Sequence, residues 1–418
     1  MLCFLPMSTK KNKCFLFFIL LHSFILNPVF DERKYVFGMQ KTQNQSSGST
    51  LLSANVDFPF DLSNTTIIKG IAIILMTMHH FWGFPDWLTN GNYYIGIRFF
   101  GTTFESFLGV NGHICIAMFL FLTGYGMYYS FQKGNNFKNV FRKIMKLLLE
   151  YWLILFIFCI PISMLLGKFI FDWKNLLLNM FAYNTDYVVF GWYIRLFLQV
   201  MILFPFLKKL VGRKLLLSIG LTTFPFFIMG ILAAKFMPYN MFTLGLHELF
   251  FWIPSVMIGY ISAKFQLFRK VKLLFVQAKM HNIFVYLALV IFIPFIRIGL
   301  PYPTFFDAAY SFIFIFASMS VLLILKNARM NRLLHFLGEN SLYIWLLQGL
   351  FFFNFYPLQF IAYFPKVSVL VLIWVLILTS SLSVLIRKML AVGKQLISPA
   401  KTLKAIQSIK DESGNHPS

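Results

Sequence analysis

Charge is scarce in this sequence, and acid scarcer still: 12% of its 418 residues are charged and only 14 are Asp or Glu. An ordinary soluble domain carries about twice that share of charge, so a water-soluble fold is excluded. Cysteine is also sparse. Cys3, Cys14, Cys115 and Cys159 have no paired spacing, and three of them sit in apolar segments, which argues against a disulfide framework or a metal site. No run reads as a Gly-rich phosphate loop, and no polar stretch is long enough to make a second, water-soluble domain. What remains is apolar: 59% of residues are hydrophobic, 54 are Phe, and the mean hydropathy is +0.73.

The apolar residues fall into runs of about 20, the length a helix needs to cross roughly 30 Å of hydrocarbon. Repeated runs of that length predict an all-α, polytopic membrane bundle rather than a barrel. About ten spans are expected, near 67–84, 112–130, 147–167, 190–207, 215–234, 245–263, 283–300, 306–325, 335–353 and 367–387.

The formal charge of +23 would point to nucleic acid in a soluble protein. Here it lies in alternate connections, so no nucleic-acid partner is expected. Lys133, Lys138, Arg142, Lys143 and Lys146 join the second and third spans; Lys208, Lys209, Arg213 and Lys214 the next such pair; Lys264, Arg269, Lys270, Lys272 and Lys279 the sixth and seventh; Lys326, Arg329 and Arg332 the eighth and ninth. The intervening connections carry few or balanced charges. By the positive-inside rule the basic loops face the cytoplasm, which places both ends of the bundle there, in a cell (cytoplasmic) membrane.

Residues 1–38 fit that scheme poorly. Lys10, Lys11 and Lys13 precede an apolar run from Cys14 to Phe30 that resembles a signal sequence or an extra helix. The reading most consistent with Lys69 at the inner end of the first span is an upstream extension, with Met39 as an alternative start, or a segment lying on the surface. Residues 39–66 read as a flexible cytoplasmic arm, 67–387 as the membrane domain and 388–418 as a cytoplasmic tail.

An ionisable side chain inside a span costs about 2.5–3.5 kcal/mol on insertion scales, so each is a functional candidate. Lys69 and His80 are eleven positions apart in the first span, which is three helical turns with about 20° of drift and about 16 Å of rise. They share a face, whereas His79 points about 100° away. A neutral imidazole at His80 can serve as a general base or first take an acyl group itself; the alternative is a histidine that hydrogen-bonds between helices. His113, and His247 with Glu248, lie near outer span ends where they could meet an acceptor. Glu248 could equally pair with a cation such as Arg297.

These residues carry a family resemblance. Lys69, Gly70, Ile71 and Ala72 followed by His80 and Phe81 resemble the opening helix of the membrane acyltransferase 3 superfamily. Phe119 to Tyr125, including Thr123 and Gly124, resemble its second span; Arg142, Lys143, Lys146 and Tyr151 its basic cluster; Gly191, Trp192 and Tyr193 its fourth span; and Leu337, Gly338 and Ser341 to Ile344 its late helix. Three positions depart from the family pattern. Lys69 stands for the commoner arginine, Leu149 for a proline, and Gln348 for a late histidine, where hydrogen bonding alone can remain.

The resemblance implies transfer of an acyl group, usually acetyl from acetyl-CoA as donor substrate with no bound cofactor, to a sugar hydroxyl of a surface polysaccharide or lipid-linked glycan. It implies His80, with His79 and Lys69, as catalytic residues, and Arg142, Lys143, Lys146 and Tyr151 as donor-binding residues. Thr123, Tyr125, Trp192, Arg195, Gln348 and Glu248 would shape the cleft or meet the acceptor. For any one basic residue the plainer role is membrane anchoring, and for Lys69 a cationic snorkel at a helix end. A transporter or flippase without chemistry is the competing class; it predicts matched Gly or Pro breaks in two halves, whereas Pro161, Pro254 and Pro294 are single and unmatched.

Overall fold

The computed structural model describes residues 58–84, 96, 98–99, 101–134, 136–166, 172–238, 240–298, 303–351 and 358–397. The expected extension 1–38 and most of the arm and tail lie outside the described residues.

The architecture is a helical bundle. The first helix, α1 (Leu62–Trp82), starts where Asp61 accepts a 2.8 Å hydrogen bond from the Asn64 amide, which satisfies one of the donors that an N-terminus exposes. It begins before the expected boundary near 67. The last residues ahead of it are packed, with Phe58 against Phe316 and Phe60 edge-on to Tyr125 at 4.9 Å. A two-residue antiparallel ladder, Arg98–Phe99 with Thr102–Thr103, interrupts the helices and turns at Gly101, whose φ of 81° suits glycine.

Next come α2 (Phe104–Gly112), α3 (Ile114–Gln132) and α4 (Asn136–Ile154), which continues through a π-helical turn, Leu155–Cys159, into α5 (Ile160–Leu165). Then follow α6 (Trp173–Met180), α7 (Gly191–Leu207), α8 (Leu215–Phe236), α9 (Met241–Lys264) and the short α10 (Leu267–Gln277). The chain ends in α11 (Ile283–Ile298), α12 (Pro303–Leu325), α13 (Ala328–Gly349), the turn α14 (Gln359–Ala362) and α15 (Ser368–Ile397).

Among the described residues, seven helices are long and apolar enough to cross a membrane; the other three expected spans fall short of that standard. The physical reasons differ. α7 and α11 are apolar but have only 17 and 16 residues, and α13 is long enough but carries Arg329, Arg332, His335 and Glu339. α3, α9 and α12 form the centre, while α8 shows a lipid-type surface of Leu217, Leu221, Phe224, Ile228 and Leu232.

With hydrocarbon around it, a bundle gains little by burying oil and much by close backbone approach. α1 packs most extensively on α13 and α3 on α9, and both crossings rest on glycine. A Cβ on Gly70 would strike the Leu334 carbonyl, and one on Gly338 the Thr66 carbonyl; Gly124 and Gly259 play the same part against Val256 and Phe121. The crossing of α1 with α13 brings His80 beside Gln348.

Candidate functional site

His80 lies in the last turn of α1, buried, with its ring stacked on Phe190 at 4.5 Å and 14°. Phe190 reaches that place because Gly349 has no side chain; a Cβ there would overlap the Phe190 ring.

A chain of hydrogen bonds determines which nitrogen of His80 carries the proton. The Thr77 hydroxyl donates to the Ile73 carbonyl at 2.8 Å, so toward Gln348 it can only accept. Gln348 Nε2 donates to it at 2.6 Å, which turns the amide oxygen toward His80. Oε1 accepts from His80 Nδ1–H at 3.2 Å. Nε2 of His80 therefore carries the lone pair, in a setting where Thr77 and Gln348 are fully buried. A ring held in that tautomer is ready to take a proton at Nε2.

His79 faces elsewhere, as helix geometry requires. Its Nδ1 donates to the Gly109 carbonyl of α2 at 2.9 Å, and its ring meets His113 at 5.0 Å and Phe84 at 5.0 Å. His113 accepts from Arg297 at 3.2 Å. Arg297 forms a two-bond pair with the fully buried Asp307, at 2.6 and 2.9 Å, and donates to the Val110 carbonyl at 3.1 Å. Arg297 is thus the partner of Asp307. Glu248 instead pairs with Arg195 at 3.1 Å, which corrects the pairing considered from sequence.

At the other end of α1, Lys69 lies within electrostatic range of Lys146, and Lys143 within range of Lys69. α4 brings these two lysines to α1. Arg142 is exposed, Lys143 leans on Met127 and Lys146 lies 3.9 Å from Glu150. Tyr151 is fully buried and its hydroxyl donates to the Asn179 carbonyl at 2.9 Å, so it ties α4 to α6.

Trp192 packs edge-on to Tyr193, which in turn meets Trp345, and Trp345 meets Phe190. α7 thus connects the His80 wall to Arg195. Arg195 is buried, donates to the Tyr183 carbonyl at 3.0 Å, and with Gln199, Tyr183, Phe181 and Phe242 lines a cavity of about 200 Å³. Thr123 and Tyr125 stand apart from His80: the Thr123 hydroxyl returns to the Phe119 carbonyl, and Tyr125 packs on Phe60 and Phe268.

The structure thus gathers His80, Gln348 and the aromatic side of α7 at one place, and Lys69, Lys143 and Lys146 at another. Thr77 and Phe190 are additions to the expected set. Thr77 sits three residues before His80 and so on its face, a signal present in the sequence; Phe190 is one of 54 phenylalanines and carries none. Among the described residues no group of three or more His, Cys, Asp or Glu is arranged to hold a metal ion.

A family model described as "Acyltransferase domain" matches residues 64–388, from the first turn of α1 into α15. A search of curated proteins finds no match.

Proposed function

The chain belongs to the acyltransferase domain family and is a multi-pass membrane transferase; from that premise we propose that it moves an acetyl group from acetyl-CoA to a sugar hydroxyl of a surface polysaccharide or lipid-linked glycan. The observation that carries this reading is the tautomer of His80, with the proton on Nδ1 and the lone pair on Nε2, held by Gln348 and Thr77.

An alcohol is a weak nucleophile until its proton is drawn off as it attacks. The acceptor O–H donates to His80 Nε2, its oxygen bonds to the thioester carbonyl carbon, and the proton passes to the imidazole. The tetrahedral intermediate collapses, the C–S bond breaks, and the thiolate of CoA takes the proton back from His80. The products are an O-acetyl sugar and free CoA, and His80 returns neutral. Direct transfer needs no acyl-enzyme, and Gln348 keeps the ring oriented throughout.

The donor side follows from charge. CoA carries phosphates, and Lys69, Lys143 and Lys146 are cations brought together at the basic end of α1. The rise of about 16 Å from Lys69 to His80 is of the scale that the extended pantetheine arm spans. The acceptor enters from the opposite end, where Trp192, Arg195 and the cavity beside Tyr183 offer ring faces and hydrogen-bond donors to a sugar.

The test is incorporation of label from radiolabelled acetyl-CoA into glycan, comparing membranes that carry the intact protein with membranes that carry His80→Ala at equal abundance. Label with the intact protein alone supports the reading. Equal label in both removes His80 from the chemistry, and no label in either, with acceptor present, favours transport of a glycan or lipid.

A further inference from the structure

A second cavity, of about 280 Å³, opens at the basic end of the bundle, away from His80 and from the lysines of α4. Its walls come from four separate parts of the chain: Phe58 ahead of α1, Lys272 on α10, His281 ahead of α11, and Ser320, Leu323, Ile324 and Lys326 at the end of α12. Three cationic or potentially cationic groups therefore line one cavity. Among the described residues no carboxylate lines it, and the sequence from 249 to 306, which supplies α10 and the turn before α11, contains no Asp or Glu.

The site is built as well as charged. His281 Nδ1 meets the hydroxyl of the fully buried Tyr286 at 2.7 Å, which fixes the ring at the cavity edge. Phe58 and Ser320 are buried walls. α10 is amphipathic: Phe268, Val271 and Phe275 pack into the core, Arg269 and Lys270 lie on the other face, and the half-buried Lys272 sits at the edge beside Phe268. A short helix of this kind lies in the plane of a membrane surface. The cavity beside it thus joins an apolar wall of Phe58, Leu323 and Ile324 to a cationic rim, at the level where phospholipid headgroups sit.

We propose that this cavity recognises a phosphate group, and that its occupant is the headgroup of an anionic phospholipid such as phosphatidylglycerol, with the diester phosphate between Lys272, Lys326 and His281 and the glycerol against the apolar wall. The requirement for opposite charge, hydrogen-bond donors and an adjacent apolar surface is met together only by an amphiphile. Phosphates of a soluble ligand share the first two properties, and the experiment separates them. The inference does not depend on the acyl-transfer chemistry at His80.

The full-length protein is released into mild detergent and examined by native mass spectrometry with phosphatidylglycerol or phosphatidylcholine; in parallel, its thermal melting is followed with pyrophosphate. The variant is Lys272→Gln with Lys326→Asn. Asn tolerates the left-handed backbone of position 326, where φ is 48°. A variant with the same charge loss elsewhere, Lys209→Gln with Lys214→Gln, serves as control. Each lysine near a headgroup contributes about fivefold in affinity, so the double cavity variant should bind phosphatidylglycerol about 25-fold more weakly, with the control close to the parent. If pyrophosphate stabilises the parent and not the cavity variant while phosphatidylglycerol is not retained, the phosphate site stands and its source is soluble. Equal retention of phosphatidylglycerol by the parent and the cavity variant, with no pyrophosphate difference, overturns the proposal.

Discussion

His80 and Gln348 face each other across the crossing of α1 and α13, Nδ1 to Oε1 at 3.2 Å, although 268 positions of sequence separate them. The contact sets which imidazole nitrogen carries the proton and which the lone pair. Gln348→Leu should leave the fold and the KM for acetyl-CoA unchanged and lower kcat by about tenfold to a hundredfold, since an untethered ring populates the wrong tautomer and orientation. Steady-state kinetics on purified protein separates the two parameters. A purely structural role for Gln348 would move KM and melting temperature as well.

His79→Ala should retain most of the transfer that His80→Ala loses. The two histidines differ by about 100° on the helix, and the His79 Nδ1 is engaged with Gly109 on α2. A loss of about 10²–10⁴-fold, the range for a general base, is expected for His80→Ala alone. Equal losses in the two variants would move the base to the His79 and His113 side.

Lys146→Gln and Lys143→Gln should raise the KM for acetyl-CoA by about fivefold to tenfold each with a small change in kcat, as expected for groups that hold phosphates away from the reacting carbon. Arg142→Gln should do less, because it is Lys143 and Lys146 that lie within electrostatic range of Lys69. Substrate titration at low and high salt checks this; the difference should shrink as salt screens the charges.

Gly338→Ala should lower the melting temperature of the purified protein. The added Cβ meets the Thr66 carbonyl, which is backbone and cannot swing aside; overpacking of this kind costs about 1–3 kcal/mol. Gly126→Ala, where the Cβ meets open space, is the control and should be neutral or slightly stabilising.

Arg297→Met alone should cost about 3–5 kcal/mol, since it leaves the buried Asp307 with only His113, at 3.6 Å, to face its charge. Arg297→Met with Asp307→Leu should recover a good part of that loss. The amount of folded protein extracted from membranes reads both, and equal damage in the single and double variants would contradict the pairing as the main contribution of Arg297.

Much of this arrangement is legible along the chain, for reasons that can be named. Lys69 and His80 stand out because a charged or titratable group in an apolar run is costly, and three helical turns place them on one face. Glycine at 70, 124 and 338 is visible as a motif, but only the crossings reveal that it permits close approach. Thr123 and Tyr125 look chemical in sequence and prove to be local: one returns to its own helix, the other packs on Phe60. The pairing of Glu248 with Arg195, and of Asp307 with Arg297, needed the fold, because any acid in a span seeks a cation and sequence does not say which. The helices α7 and α11 fall below a full span in length and α13 in apolarity, so their apolar runs overstate them as spans.

The Arg297–Asp307 pair has a bearing on how the protein is made. The two residues occupy adjacent helices, ten positions apart across one connection. Alone, each would take its charge into lipid at about 2.5–3.5 kcal/mol, a cost that falls on α11 with special weight because it is only 16 residues long. Joined, they cancel. The hairpin α11–α12, rather than either helix, is thus the natural unit of insertion, and a ribosome pause or truncation between 298 and 307 would strand α11 in the bilayer with an unneutralised arginine.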